Sequence, residues 1–234
     1  MYSLIFTGES FFRFVPRNSH TTLKYWIAKG NYGNQWCIDT TAKVRLNKRL
    51  DHERRASYHL KINVNNGRKT FPGPTVLFNI QDINDNAPQF ASSNYNFYIA
   101  EDVGIGQTVG LVTAVDRDDR TNSILKYSIV GEEDVQSRGK FKINPSTGLL
   151  TTKQTLDRED MPQHVILVRV EDEGKPPLSS IARVTVVVSD VNDNDPAFAS
   201  EMFRAGVRVD AKVGSRIFAV VASDVDWGDN GIVR

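Results

Sequence analysis

A seven-residue segment occurs twice in this chain. Asp82-Ile-Asn-Asp-Asn-Ala-Pro88 returns as Asp190-Val-Asn-Asp-Asn-Asp-Pro196, 108 residues later. Ala114-Val-Asp-Arg-Asp118 returns at the same distance as Ala222-Ser-Asp-Val-Asp226. Leu50-Asp-His-Glu53 returns as Leu156-Asp-Arg-Glu159, 106 residues on. Three motifs therefore share nearly one period and one cyclic order. Solenoid repeats run to roughly 20–45 residues. A period this long describes tandem domains, and 234 residues hold about two of ordinary size.

Between the motifs the chain reads as strands. His164-Val-Ile-Leu-Val-Arg-Val170 and Ala182-Arg-Val-Thr-Val-Val-Val188 are rich in β-branched residues. Glu173-Gly-Lys-Pro-Pro177 between them is a turn signal, so the two strands are expected to lie antiparallel. Leu125–Ile129 and Phe141–Ile143 alternate apolar and polar, and Asn144-Pro-Ser-Thr-Gly148 is a further loop. No long stretch keeps helical period. Short strands and Gly/Pro/Asn loops over about 100 residues indicate an antiparallel β-sandwich.

The formal net charge of +1 averages two unlike parts. Residues 1–81 hold 13 Lys and Arg against 4 Asp and Glu; residues 82–234 hold 16 against 24. The acids of the second part fall in short runs, mixed with Asn. Carboxylates ~5 Å apart repel by roughly 3 kcal/mol per pair at an effective dielectric of ~20. Such runs are costly unless a cation sits among them, and Ca²⁺ takes 6–8 oxygen ligands. The single cysteine, Cys37, excludes a disulfide scaffold and a multi-cysteine zinc site. The histidines (His20, His52, His59, His164) show no metal-ligand spacing in sequence. The near-neutral balance speaks against a nucleic-acid binder. No segment reaches the ~18 apolar residues of a membrane span. Gly8 and Glu9 interrupt the apolar start, which does not read as a signal peptide.

Together, Asp-x-Asn-Asp-Asn-x-Pro, Ala-x-Asp-x-Asp, Leu-Asp-Arg-Glu and Val-x-Val-x-Asp-x-Gly, in this order and spacing, resemble cadherin extracellular repeats. The resemblance implies an all-β chain of tandem Greek-key, seven-stranded sandwiches, one complete and two partial. Residues 1–88 would be a divergent repeat lacking its first strands, 89–196 a complete repeat, and 197–234 the N-terminal part of a third. Tyr2-Ser-Leu4 resembles Tyr127-Ser-Ile129, and Arg234 aligns with Lys126.

The same resemblance implies up to three Ca²⁺ at each junction between repeats. Transferred residue by residue, the first junction would use Asp51, Glu53, Asp82, Asn84, Asp85, Asn86, Asp116, Asp118, Asp172 and the carbonyl of Asn122. The second would use Glu101, Asp157, Glu159, Asp190, Asn192, Asp193, Asn194, Asp224, Asp226 and Asn230. Seven carboxylates at each junction against three Ca²⁺ would leave a formal charge of −1. Where the middle repeat has Asp172, the first has Asn65-Asn66-Gly67, so a junction upstream would lack one carboxylate.

Other readings fit the residues less well. Asp190, Asn192, Asn194 and Glu201 occupy EF-hand loop positions, but Asp195 replaces the required Gly and no helices flank the loop. Asp157 and Glu159 as a glycosidase pair would need a sugar cleft. Cys37 reads as a small buried apolar residue, and Trp26, Trp36 and Trp227 as core or rim. The basic run Lys48–Arg55 reads as a solvated face, with an anionic glycan as the sharper option.

The resemblance implies a non-enzymatic protein of calcium-dependent cell–cell adhesion, its partners other cadherin ectodomains in homophilic or heterophilic contact. It places the chain at the extracellular face of the plasma membrane, the signal peptide and membrane anchor lying elsewhere in the parent. The alternative is a calcium-stiffened spacer in a large receptor or signalling cadherin.

Overall fold

A computed structural model describes residues 3–7, 10–15, 23–133 and 135–233. Tyr2, Gly8, Glu9, His20 and Arg234 lie outside the described residues. The described residues are strands, turns and short 3₁₀ segments, with no α-helix among them. They divide into two compact units, one of residues 1–85 with 117–122 and one of residues 86–116 with 123–234.

The first unit contains β1 (Ser3–Thr7), β2 (Ser10–Val15), β3 (Lys24–Lys29), β4 (Trp36–Ile38), β5 (Val44–Leu46), β6 (Ser57–Asn65) and β7 (Thr70–Asn79). β3, β6 and β7 form one antiparallel sheet in that order; β1 pairs β2 and β4 pairs β5. β6 alternates inward Tyr58, Leu60 and Ile62 with more exposed neighbours, the period-2 pattern of a half-buried strand. These residues close a core with Trp36, Ala42, Val44 and Phe78. Trp36 stacks on Phe78 at 4.3 Å and meets Tyr58 edge-on at 5.6 Å. Trp36 is thus a core residue, whereas Trp26 is exposed. Cys37 departs from its expected burial. It follows Trp36 on a strand whose alternation sends it outward, and it is exposed.

The second unit contains β8 (Gln89–Phe90), β9 (Asn94–Ala100), β10 (Thr108–Leu111), β11 (Ala114–Val115), β12 (Leu125–Glu132), β13 (Phe141–Ile143), β14 (Leu149–Thr152), β15 (Gln163–Asp172), β16 (Ser179–Ser189), β17 (Ala197–Phe198) and β18 (Ala222–Ser223). One sheet has the order β12-β15-β16-β9, the other β10-β14-β13. β15 and β16 pair antiparallel from Gln163↔Val187 to Glu171↔Ser179, joined by the expected turn. β9 adds to the far side of β16 in parallel, Asn94 opposite Arg183. The inward residues Ile166, Val168, Val170, Val184 and Val186, each 0% exposed, meet Val112, Phe141 and Leu150 from across the sandwich. This is a Greek-key-like β-sandwich. Gly148 closes the β13–β14 hairpin at φ +72°, and a Cβ there would strike the Val112 carbonyl oxygen.

Turn chemistry positions the acidic loops. Asp172 ends β15 with its carboxylate turned onto its own loop, accepting the N–H groups of Gly174 (2.9 Å) and Leu178 (3.1 Å). In the first unit Asn65 ends β6 the same way, its Oδ1 accepting the N–H of Gly67 at 2.6 Å. An amide oxygen serves this turn as well as a carboxylate, so the departure at Asn65 leaves the local fold intact.

Candidate metal centre

The Leu-Asp-x-Glu motif of each unit forms a tight turn. In the first, Asp51 Oδ1 accepts the Arg54 N–H at 2.7 Å. In the second, Asp157 Oδ1 accepts the Asp160 N–H at 2.9 Å. Each turn throws its glutamate toward the linker acids. In the first unit, oxygens of Glu53, Asp85 and Asp118 lie within 4.8 Å of one another, as do donor atoms of His52, Glu53 and Asp82. In the second, the same holds for Glu101, Asp157 and Glu159, and for Glu159, Asp190 and Asp226.

Hydrogen bonds fix the linker carboxylates. Asp82 Oδ2 accepts the Asp119 N–H at 2.9 Å and the Asn122 amide at 3.0 Å. Asp190 repeats this with the Trp227 N–H at 2.9 Å and the Asn230 amide at 2.8 Å. Asn122 and Asn230 thus present side-chain amides to the linker. Asn194 donates to Asp226 at 2.7 Å, and Asp224 accepts the Asp226 N–H at 3.0 Å. Glu101 is 4% exposed and accepts two backbone N–H groups, Val191 at 2.8 Å and Arg158 at 2.7 Å.

Charge crowding shows in the carboxyl groups. Burial, then the bond and charge of Asp82 and the charge of Asp85, push the Glu53 carboxyl above its ordinary range. Asp82 moves down: burial opposes its charge, but the Asp119 N–H, Asn122, Glu53 and His52 outweigh that. Glu159 is raised by desolvation and by the Glu101 charge. Asp193 is raised by desolvation and then by the charges of Glu101, Asp226 and Asp157. Desolvation also opposes the charge of Asp190, which the Trp227 N–H, Asn230 and Arg158 nonetheless hold low. Carboxylate oxygens gathered under mutual repulsion suit a hard divalent cation such as Ca²⁺.

Not every residue named from sequence joins these clusters. The side-chain bond of Asp51 goes to its own turn, and that of Asp172 to its own loop. Asn86, Asp116 and Asp172 belong to the second unit, while Asp118 and Asn122 belong to the first. Asn84 and Asp116 are half-buried and Asn192 is exposed.

Two residues of these centres escaped the motif reading. His52 Nδ1 lies 3.5 Å from Glu53 Oε1 and 3.4 Å from Asp82 Oδ1. Arg158, at the matching position, puts Nε 2.6 Å from Asp190 Oδ1 and Nη2 3.0 Å from Glu159 Oε1. Its guanidinium also lies over Trp227, which is 72% exposed. Arg158 is the third residue of Leu-Asp-Arg-Glu and His52 the departure from it, and the ligand assignment gave neither a role. The basic run forms a cleft of about 430 Å³, lined by Lys48, Arg49, Arg54 and Arg55 with Tyr32, over whose ring Arg55 sits at 4.0 Å.

Paired sandwich units with matched acidic loops describe a tandem-repeat β protein. Residues 95–189 match the family model described as "Cadherin domain". The chain is 36% identical to mouse protocadherin Fat 4 over 214 residues, covering 90% of this chain and 4% of that protein. It is 34% identical over 218 residues to the protocadherin-like wing polarity protein stan of Drosophila melanogaster, covering 91% of this chain and 6% of the relative. Among solved structures, mouse cadherin-23 EC22-24 superposes with a TM-score of 0.81 at 25% identity, over 96% of this chain and 73% of that one. Mouse clustered PcdhgC3 EC1-3 gives 0.71 at 27% identity, over 88% and 68%. The chain belongs to the cadherin superfamily. Its similarity is to non-catalytic adhesion domains, and it is not an enzyme. No helix among the described residues is long and apolar enough to cross a membrane.

Proposed function

We propose that these repeats bind Ca²⁺ at their linkers and serve calcium-dependent cell–cell adhesion as part of an extracellular, membrane-anchored parent. The observation that supports this most is the doubling of the acidic cluster. Glu53 with Asp85 and Asp118, and Glu159 with Asp190 and Asp226, are gathered by equivalent motifs. Glu53, Asp82, Asp85 and Asp118 would hold the ion in the first unit. Glu101, Asp157, Glu159, Asp190, Asp193 and Asp226 would do so in the second, with Asn84, Asn86, Asn122, Asn192, Asn194, Asn230, Asp51, Asp116, Asp172 and Asp224 completing the sets. Bound calcium supplies counter-charge, so loops that repel one another become stiff; the role is structural. Other cadherin ectodomains are the partners this reading favours.

Calcium titration followed by calorimetry, with thermal melting before and after a chelator, tests the metal. Saturable heat and a lower melting temperature in chelator are expected. No heat and an unchanged melt would remove the metal claim.

The chain spans only 4–6% of the length of relatives such as Fat 4 and stan, and a spacer role in a large parent is the alternative reading. Bead aggregation by the parent ectodomain decides. Aggregation that survives deletion of these repeats assigns them a spacer role; its loss assigns them a part in adhesion.

A further inference from the structure

The same position of the Leu-Asp-x-Glu turn carries different chemistry in the two units. Arg158 bonds Asp190 and Glu159 through guanidinium N–H groups at 2.6 and 3.0 Å. A guanidinium has no lone pair to offer a metal, so Arg158 is only a counter-ion. His52 stands in its place against Asp82 and Glu53, and an imidazole nitrogen is a metal ligand. The spacing separates the two cases further. At 3.5 and 3.4 Å the His52 contacts exceed the 2.7–3.2 Å of an ordinary N–H···O bond. They match the ~3.3 Å edge of a tetrahedron whose centre lies ~2.0–2.1 Å from each N and O ligand, the distances of zinc.

We propose that His52 Nδ1, Glu53 Oε1 and Asp82 Oδ1 form a site for Zn²⁺ or a similar borderline divalent metal, specific to the first unit. Three protein donors leave a coordination position for water. Asp82 is held for the task by Asp119 and Asn122 through its other oxygen. Zinc and calcium compete for Glu53 and Asp82, and only zinc gains from the imidazole. In the second unit Arg158 stands at the corresponding place and offers a metal no donor. The competition arm alone rests on the calcium reading above.

The test titrates zinc into the full chain in calcium-free buffer, against a chromogenic chelator, with the imidazole ¹⁵N resonances followed by NMR. Zinc is expected to bind at one tight site and shift His52. His52→Arg, which copies the second unit, is expected to weaken it at least about tenfold, and His52→Gln likewise, while His59→Gln leaves it unchanged. Full zinc affinity in His52→Arg and His52→Gln, or an equal loss in His59→Gln, would overturn the site. Zinc binding that persists in a chain showing no calcium heat would leave this site standing and remove the calcium reading instead.

Discussion

Glu101 holds Val191 across 90 residues of sequence: a carboxylate that is 4% exposed accepts the backbone N–H of the linker residue at 2.8 Å. Its second oxygen takes the Arg158 N–H at 2.7 Å. One side chain therefore ties the end of β9, the Leu156–Glu159 turn and the linker after β16 together.

Glu101→Ala strands both donors without acceptors. Each buried unsatisfied group costs about 1–3 kcal/mol, so the second unit should lose about 2–6 kcal/mol. Urea denaturation in chelator measures this apart from any metal. A midpoint equal to wild type would show that water replaces the carboxylate freely.

Leu60→Ala and Ile166→Ala each empty a fully buried position, one in each unit. Each should cost its own unit about 2–5 kcal/mol. Hydrogen exchange read by unit should show the loss confined to residues 23–85 for Leu60→Ala and to the second unit for Ile166→Ala. Equal loss in both units from one substitution would mean that they unfold together.

Asp39 governs an acid-sensitive turn. Desolvation opposes its charge, but the Thr41 hydroxyl, the Lys43 N–H, the Arg45 guanidinium and the Thr41 N–H outweigh that and set the carboxyl well below its usual 3.8. The unfolded chain therefore takes up the proton more readily. The contribution is complete above the usual value and is lost as pH falls through the folded one. The difference in urea midpoint between wild type and Asp39→Asn should be full at about pH 5 and narrow steadily as the pH is lowered to about 2. A gap that widens on acidification would reverse the assignment.

Asp193→Ala should act with opposite signs on two properties. Without metal it removes a charge crowded by Glu101, Asp226 and Asp157, so the melting temperature should hold or rise. With calcium it removes a donor, and affinity should fall at least about fivefold. Melting curves in chelator and a calorimetric titration check the two halves. A lower melting temperature in chelator together with unchanged affinity would make Asp193 a structural residue.

The strands and the acidic clusters were legible where the pattern was local. Two β-branched runs about a Gly/Pro turn announced β15 and β16, and the repeated Asp/Asn segments announced the carboxylates that meet at Glu53 and Glu159. The parallel seat of β9 was not legible, because nothing within Asn94–Ala100 names a partner 89 positions away. The exposure of Cys37 follows from alternation after Trp36, a register that three residues could not reveal. His52 and Arg158 were invisible for another reason: their contacts are to Asp82 and Asp190, 30 and 32 positions on, and only folding brings them together. Trp227 read as core or rim, yet it stands 72% exposed under Arg158.

The parallel seat of β9 sets a schedule for biosynthesis. β9 is made early and its partner β16 is the last strand of the main sheet, with Asn94 facing Arg183. At roughly 5–20 residues per second, a ribosome needs on the order of 5–20 s to deliver that partner. For that interval β9 offers an open row of backbone donors and acceptors. Wrong pairing between neighbours during synthesis is the hazard this topology carries, and the late strand β16 determines when it ends.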